Sequence, residues 1–287
     1  MVHIIRVLIY CFLIPASLAG CGGGNSDSAS SGGMELPVDV APITDGAWYR
    51  PALFVTWQWQ LQGAINSSYG VEIYDVDLFD TTVSSIDALQ AEGKKVICYF
   101  SAGSYEGFRA DKDEFYPADL GKTLDGWEEE RWLDIRSGNV HSIMKSRLDL
   151  ASSKGCDGVE PDNVDGYNNN TGFSLTANDQ LAYNRFIANE AHSRGLSVGL
   201  KNDTDQVAGL VDYYDFTVNE QCFEYSECDT LIPFIVSGKP VLNVEYLEVY
   251  VTDSVARATL CSDSVNMQFS TLVLPLDLDD SFRLGCF

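Results

Sequence analysis

The chain has 287 residues, 45% of them hydrophobic, enough for one large core or two small ones. Its 42 acidic side chains outnumber 18 basic ones, for a formal net charge of −24. That balance argues against nucleic acid, whose binding relies on basic side chains meeting phosphates; an acidic field draws cationic ligands instead, or simply keeps an exported protein in solution.

The first element in chain order is an export signal. Residues 1–21, MVHIIRVLIYCFLIPASLAGC, carry one arginine, an apolar run and the box Leu18-Ala19-Gly20-Cys21. The segment is too short for a transmembrane helix and ends on a cleavage-like pattern. It resembles a bacterial lipoprotein signal, in which cleavage leaves Cys21 as the lipidated first residue; plain secretion is the alternative. The expected location is the bacterial envelope, at the outer membrane or cell surface, with the lipid as the one membrane contact. Residues 22–45 open with GGGNSDSASSGG and read as a flexible tether, which leaves 46–287 as a single domain.

That domain repeats one theme: a short apolar strand, a polar loop and usually a helical pattern. The strand candidates are TWQWQL, VEIYDVDLF, VICYFSA, GVEPDN, SVGLKN, FTVNEQ, VLNVEY and TLVLPL. Between the third and fourth, VHSIMKSRLDLASSKG has helical spacing and stops at Gly155. The next connection starts at a capping Thr176 and ends at Gly195. Shorter patterns at 86–89, 207–211, 231–236 and 255–260 fill later connections, while QGAINSSYG is too short for a helix. Strands alternating with helices predict a (β/α)8 TIM-type barrel, with a doubly wound open sheet as runner-up. No Gly-rich phosphate loop follows the first strand, which weighs against the open sheet.

Six cysteines lie in the domain: Cys98, Cys156, Cys222, Cys228, Cys261 and Cys286. In an exported protein an even set points to disulfides, and no paired spacing suits zinc. Cys222 with Cys228 is the easiest local pair; Cys98 with Cys156 and Cys261 with Cys286 would complete the set, although spacing leaves the connectivity open.

In a barrel the functional residues sit at the C-terminal ends of strands. Polar groups gather there: Asp75 and Asp77, Tyr99 and Ser101, Glu160 and Asp162, Lys201 and Asn202, then Glu220 and Glu245. Asp162 and Glu220 end the fourth and sixth strands, a quarter-turn apart around the ring. A gap of roughly 5 to 10 Å between them suits a glycosidase pair, one acid protonating the leaving oxygen while the other attacks or activates water. Glu160 is either a substrate contact or a buried partner of Lys201. Asp157 is expected in solvent at the barrel bottom, and Asp165, in the loop, is a turn former, a substrate contact or neither. DVDLFD lacks the glycine and spacing of a calcium loop, so no metal is expected. His141 and His192 fall in helical patterns, and no nucleophile-elbow serine occurs.

The motifs WQWQLQG, YDVDLFD, VICYFSAGSYEGFR, LDGWEEERWLDIRS, KGCDGVEPDNVDGY, GLKND and VNEQCFEYSEC together resemble glycoside hydrolase family 114, the endo-α-1,4-polygalactosaminidases. The resemblance runs from about residue 46 to 250. It implies a (β/α)8 barrel that cuts α-1,4-linked galactosamine chains internally, without metal or organic cofactor. The family's catalytic acids map onto Asp162 in EPDN and Glu220 in NEQC. The substrate so implied is a polycation, which suits the acidic mouth. From position, Asp77 and Glu245 are expected to contact amine or hydroxyl groups, and Tyr99 and Trp57 to stack on sugar rings. Asp162 is read as nucleophile or base and Glu220 as general acid. The rival functions are a sugar-binding barrel without catalysis and a glycosidase of neutral α-galactosides.

Overall fold

The structure, a computed structural model, describes residues 36–286. The signal segment, Cys21 and the tether up to residue 35 lie outside the described residues. Each predicted strand forms, with its ends shifted by no more than three residues. The first three are β1 (Trp57–Gln60), β2 (Ile73–Asp77) and β3 (Lys95–Ser101). A small antiparallel sheet follows, from β4 (Ser104–Glu106), β5 (Leu120–Leu124) and β6 (Trp127–Leu133). The main sheet resumes with β7 (Gly158–Asp162), β8 (Ser197–Lys201), β9 (Phe216–Glu220), β10 (Val241–Glu245) and β11 (Ser270–Val273), and ends on β12 (Leu284–Cys286). Its order is β1-β2-β3-β7-β8-β9-β10-β11-β12, parallel as far as β11 and antiparallel only at the last pair.

Helices cover the outside of this curl. They are α1 (Val83–Ala91), α2 (Gly138–Lys154), α3 (Ala177–Ser193), α4 (Val207–Leu210), α5 (Cys222–Tyr225), α6 (Ile232–Val236), α7 (Glu248–Thr252) and α8 (Ser254–Asn266). The two long ones start and stop where local chemistry says they should. Thr176 and Asp179 form a reciprocal capping box at α3, and Gly155 ends α2 with φ 83°, a conformation that suits glycine.

Period-two alternation along the strands sorts their side chains into two cores. Outward residues such as Tyr74, Val76, Val159 and Val198 pack under helix residues Ile86, Val140, Met144, Tyr183 and Ile187. Inward residues Trp57, Trp59, Ile73, Ile97, Phe216, Val218 and Leu242 fill the lower barrel. Gly199 belongs to this inner set: a Cβ there would come within 2.4 Å of the Phe216 ring, so glycine is what lets that ring lie under the mouth.

The ring is closed by side chains and a C-terminal loop; no ladder joins β11 or β12 to β1 among the described residues. Trp57 Nε1 donates to the Ser270 carbonyl (2.9 Å), Arg283 Nη2 donates to the Trp57 carbonyl (2.7 Å), and Leu61 and Gln62 both donate to the Leu278 carbonyl.

Two expectations are corrected. Residues 36–45, assigned to the tether by composition, lie against the domain: Arg185 bonds the Val38 carbonyl, Tyr213 the Val40 carbonyl, and Asn189 both Ala41 and Ile43. Residues 104–133 carry the small sheet, which the strand reading passed over. Its signal was present, since Asp125-Gly126 is a two-residue hairpin turn with Gly126 at φ 88°.

Three disulfides form, Cys98–Cys156, Cys222–Cys228 and Cys261–Cys286. The first ties positions 58 residues apart. Replacing Cys98 and Cys156 together by alanine should lower the unfolding free energy by about 4 kcal/mol, the entropy of releasing so long a loop. Urea denaturation would read this, and an unchanged midpoint would mean the sheet alone restrains the loop.

Candidate active site

The polar ends of the parallel strands meet in one mouth. At its centre Lys201, only 3% exposed, reaches Asp162 Oδ1 and Glu220 Oε2 at 3.0 Å each, with Glu160 Oε1 at 3.7 Å. One nitrogen at 3.0 Å from both oxygens limits their separation to about 6 Å, the scale of a carboxylate pair that grips one glycosidic bond. The remaining oxygens are also held. Tyr99 donates to Asp162 Oδ2 (2.9 Å), and Tyr246 donates to Glu220 Oε1 (2.5 Å). Asn163 N–H donates to Asp162 Oδ1 (2.6 Å), while Asn202 Nδ2 donates to Glu220 Oε2 (3.3 Å) and its Oδ1 accepts from Glu220 N–H (2.9 Å).

The backbone helps to aim these groups. The residue that follows each functional strand end is left-handed: Asn163 at φ 60°, Asn202 at 48° with Asp203 at 45°, and Gln221 at 64°. Non-glycine residues seldom adopt this region, asparagine most readily, and such local strain collects at functional sites. Here it stops each strand and turns the chain sharply aside, leaving Asp162, Lys201 and Glu220 at the lip.

Electrostatics explain why the cluster tolerates so many acids. Burial opposes the charge on Lys201, but Asp162, Glu220 and Glu160 outweigh it and hold its pKa well above the usual range. Below it, Asp75 and Glu160 are both fully buried. Burial pushes Asp75 up to about 8, and burial together with the neighbouring Asp75 pushes Glu160 well up, so the two keep a proton between them at neutral pH. The Trp59 ring lies 4.9 Å from Lys201 Nζ and forms the floor.

Several positional expectations change. Trp57 has no exposure and bridges the barrel seam, so its ring offers no face to a sugar. Asp77 is buried and gripped by Arg109 through two bonds of 2.6 and 3.0 Å, which leaves it no amine to receive. Glu245 points outward, fully buried, and accepts from Phe223 N–H (2.9 Å). Its neighbour Tyr246 has the inward parity, and one residue along a strand exchanges faces. Glu160 is the buried partner of Lys201, the second of its two readings. Asp157 is tied to Lys95, Gln90 and Val96 instead of lying in solvent. Tyr99 stands half-buried in the mouth with its hydroxyl on Asp162. Beside the mouth a cavity of ≈ 420 Å³ is lined by Gln60, Asp77, Asp80 and Ser85 among others; neither Asp162 nor Glu220 lines it.

Eight parallel strands curled into a barrel, with two carboxylates converging over its C-terminal mouth, are the arrangement that glycoside hydrolases use. The sequence profile of glycoside hydrolase family GH114 matches residues 39–286, and the chain belongs to that family. The crystal structure of Aspergillus fumigatus Ega3 in complex with galactosamine is similar, at 44% identity and a TM-score of 0.80, over 85% of this chain and 99% of that one. The glycoside hydrolase domain of PelA from Pseudomonas aeruginosa shares the fold at 14% identity and a TM-score of 0.62, over 80% of this chain and 96% of that one. Among curated protein sequences none matches this chain.

Proposed function

We propose that this enzyme cleaves α-1,4-linked galactosamine polysaccharide internally, with Asp162 and Glu220 as its working carboxylates. The observation that carries the reading is the Lys201 bridge, which brings both acids to a single point over the mouth. The similarity to Ega3, whose complex holds galactosamine, supports the substrate class. A net charge of −24 favours a polycation over a neutral glycan. The test compares reducing ends released from deacetylated galactosaminan, its fully acetylated form and a neutral α-galactan. Release from the first, with short internal fragments early, is expected. Binding without release from any of the three would make the barrel a sugar-binding module.

The ceiling of about 6 Å on the separation of the two oxygens facing Lys201 stops short of the ~6.5–9.5 Å of inverting enzymes and admits the ~5–5.5 Å of retaining ones. Asp162 then acts as nucleophile, and Glu220 first gives and later takes a proton. Magnetic resonance of fresh digests should show α-anomeric reducing ends before mutarotation; β-anomers appearing first would replace the nucleophile with a base. Export with a lipid on Cys21 also remains our proposal, and three disulfides suit an oxidising compartment.

A further inference from the structure

One carboxylate near the mouth has no task in the chemistry above. Glu130 lies on β6, directly across from Glu106 on β4. Its Oε2 accepts from Ser104 Oγ (2.7 Å), which lies 2.6 Å from Ser101 Oγ, and Asn163 Nδ2 donates to that same Ser101 oxygen (2.9 Å). Asn163 follows Asp162 in the chain, and Ser101 stands in register beside Asp162 on β3. Glu130 is thus anchored two hydrogen bonds from the residues that flank Asp162.

The acids around it are treated differently. Glu106 is answered by Arg109 and Arg147 at 2.7 and 3.5 Å, and Asp162 by Lys201 at 3.0 Å. Among the described residues Glu130 has the Ser104 bond and no ion pair. It is half-buried, and burial pushes its pKa up to about 7 despite the Ser104 bond and the more distant charge of Arg109, with Glu106 and Asp162 adding to the rise. A partly desolvated carboxylate among like charges is costly unless a cation answers it. Arg109 acts on Glu130 only from a distance, since its guanidinium is bonded to Asp77 and Glu106, so among the described residues no cation is in direct contact with Glu130.

We propose that Glu130 is a specificity-determining residue that receives the ammonium group of the sugar seated over Asp162. The inference rests on the galactosamine reading above. In a 2-amino sugar the nitrogen sits on the carbon next to the one attacked, so a carboxylate anchored through Ser104 to the residues beside the nucleophile is placed to meet it. An ammonium there gains a charge-assisted hydrogen bond; an acetamide or hydroxyl brings no charge.

The experiment measures inhibition of galactosaminan cleavage by galactosamine and by galactose in wild type, Glu130→Gln and Glu128→Gln. Glutamine keeps the acceptor for Ser104 and removes the charge. Galactosamine should bind Glu130→Gln about tenfold more weakly, the worth of one charge-assisted bond, while galactose binds as before. KM for the deacetylated polymer should rise by a similar factor with kcat little changed. Glu128, exposed further out on the same strand, should leave the ratio of the two inhibition constants where it was. That ratio comes from one preparation, so partial unfolding cancels from it. An unmoved ratio in Glu130→Gln, or an equal shift in Glu128→Gln, would overturn the inference while cleavage by wild type still stood; a wild type inert on galactosaminan would overturn the reading beneath it.

Discussion

Asp162→Asn is expected to lose about a thousandfold or more in kcat, and Glu220→Gln a comparable amount, with both proteins folded. Neither change alters volume, and each amide keeps an oxygen that can face Lys201. What disappears is the ability to attack or to pass a proton. The two variants should differ on a substrate whose leaving group needs no protonation, such as an aryl galactosaminide. Bond cleavage by Glu220→Gln should then recover substantially, whereas Asp162→Asn stays slow. If, as proposed, the two acids act on one bond, the double variant should be little worse than either single one. Near-normal cleavage of the polymer by Asp162→Asn or Glu220→Gln would remove the assignment altogether.

Lys201→Met should damage stability as well as rate. The lysine is the cation shared by Asp162, Glu220 and Glu160, and its removal leaves acids in a dry site without a counter-charge. Breaking a buried ion pair from one side costs about 3–5 kcal/mol. The pH dependence has a definite sign. Asp75 and Glu160 have folded-state pKa values raised above their unfolded ones, so stability from keeping them protonated is full in acid and is lost as pH rises through those raised values, about 8 for Asp75. Without Lys201 that loss should steepen, so the variant should approach wild-type stability near pH 4 and fall well below it at pH 7 to 8. Thermal melts across this range would show the divergence. Equal melting temperatures at pH 8 would mean that the bridge does not hold the site together.

Much of the architecture was legible because its causes are local. Strand alternation, helix caps and glycine stops depend on a few neighbouring residues, and they appear where the sequence places them. The same locality marked Asp162 and Glu220 as strand-end carboxylates on inward-facing positions. Glu245 shows where such reasoning slips: strand and end were right, but the parity was off by one, and the inward group is Tyr246. The small sheet was missed although its Asp-Gly turn was in plain view, because its strands are short and largely exposed and lack an apolar run.

The sequence by itself determined that this is a parallel barrel with acids around its mouth, since periodicity and strand ends are written within a few residues of each other. Only the tertiary structure decided what each acid does, because that depends on partners brought together from afar. Arg109 captures Asp77 from 32 residues away, Trp57 is drawn into the seam by Ser270 from 213, and Lys201 gathers Asp162 from 39. No local pattern encodes such pairings; closing the curl creates them, and with them the difference between a buried counter-ion and a carboxylate left facing the mouth.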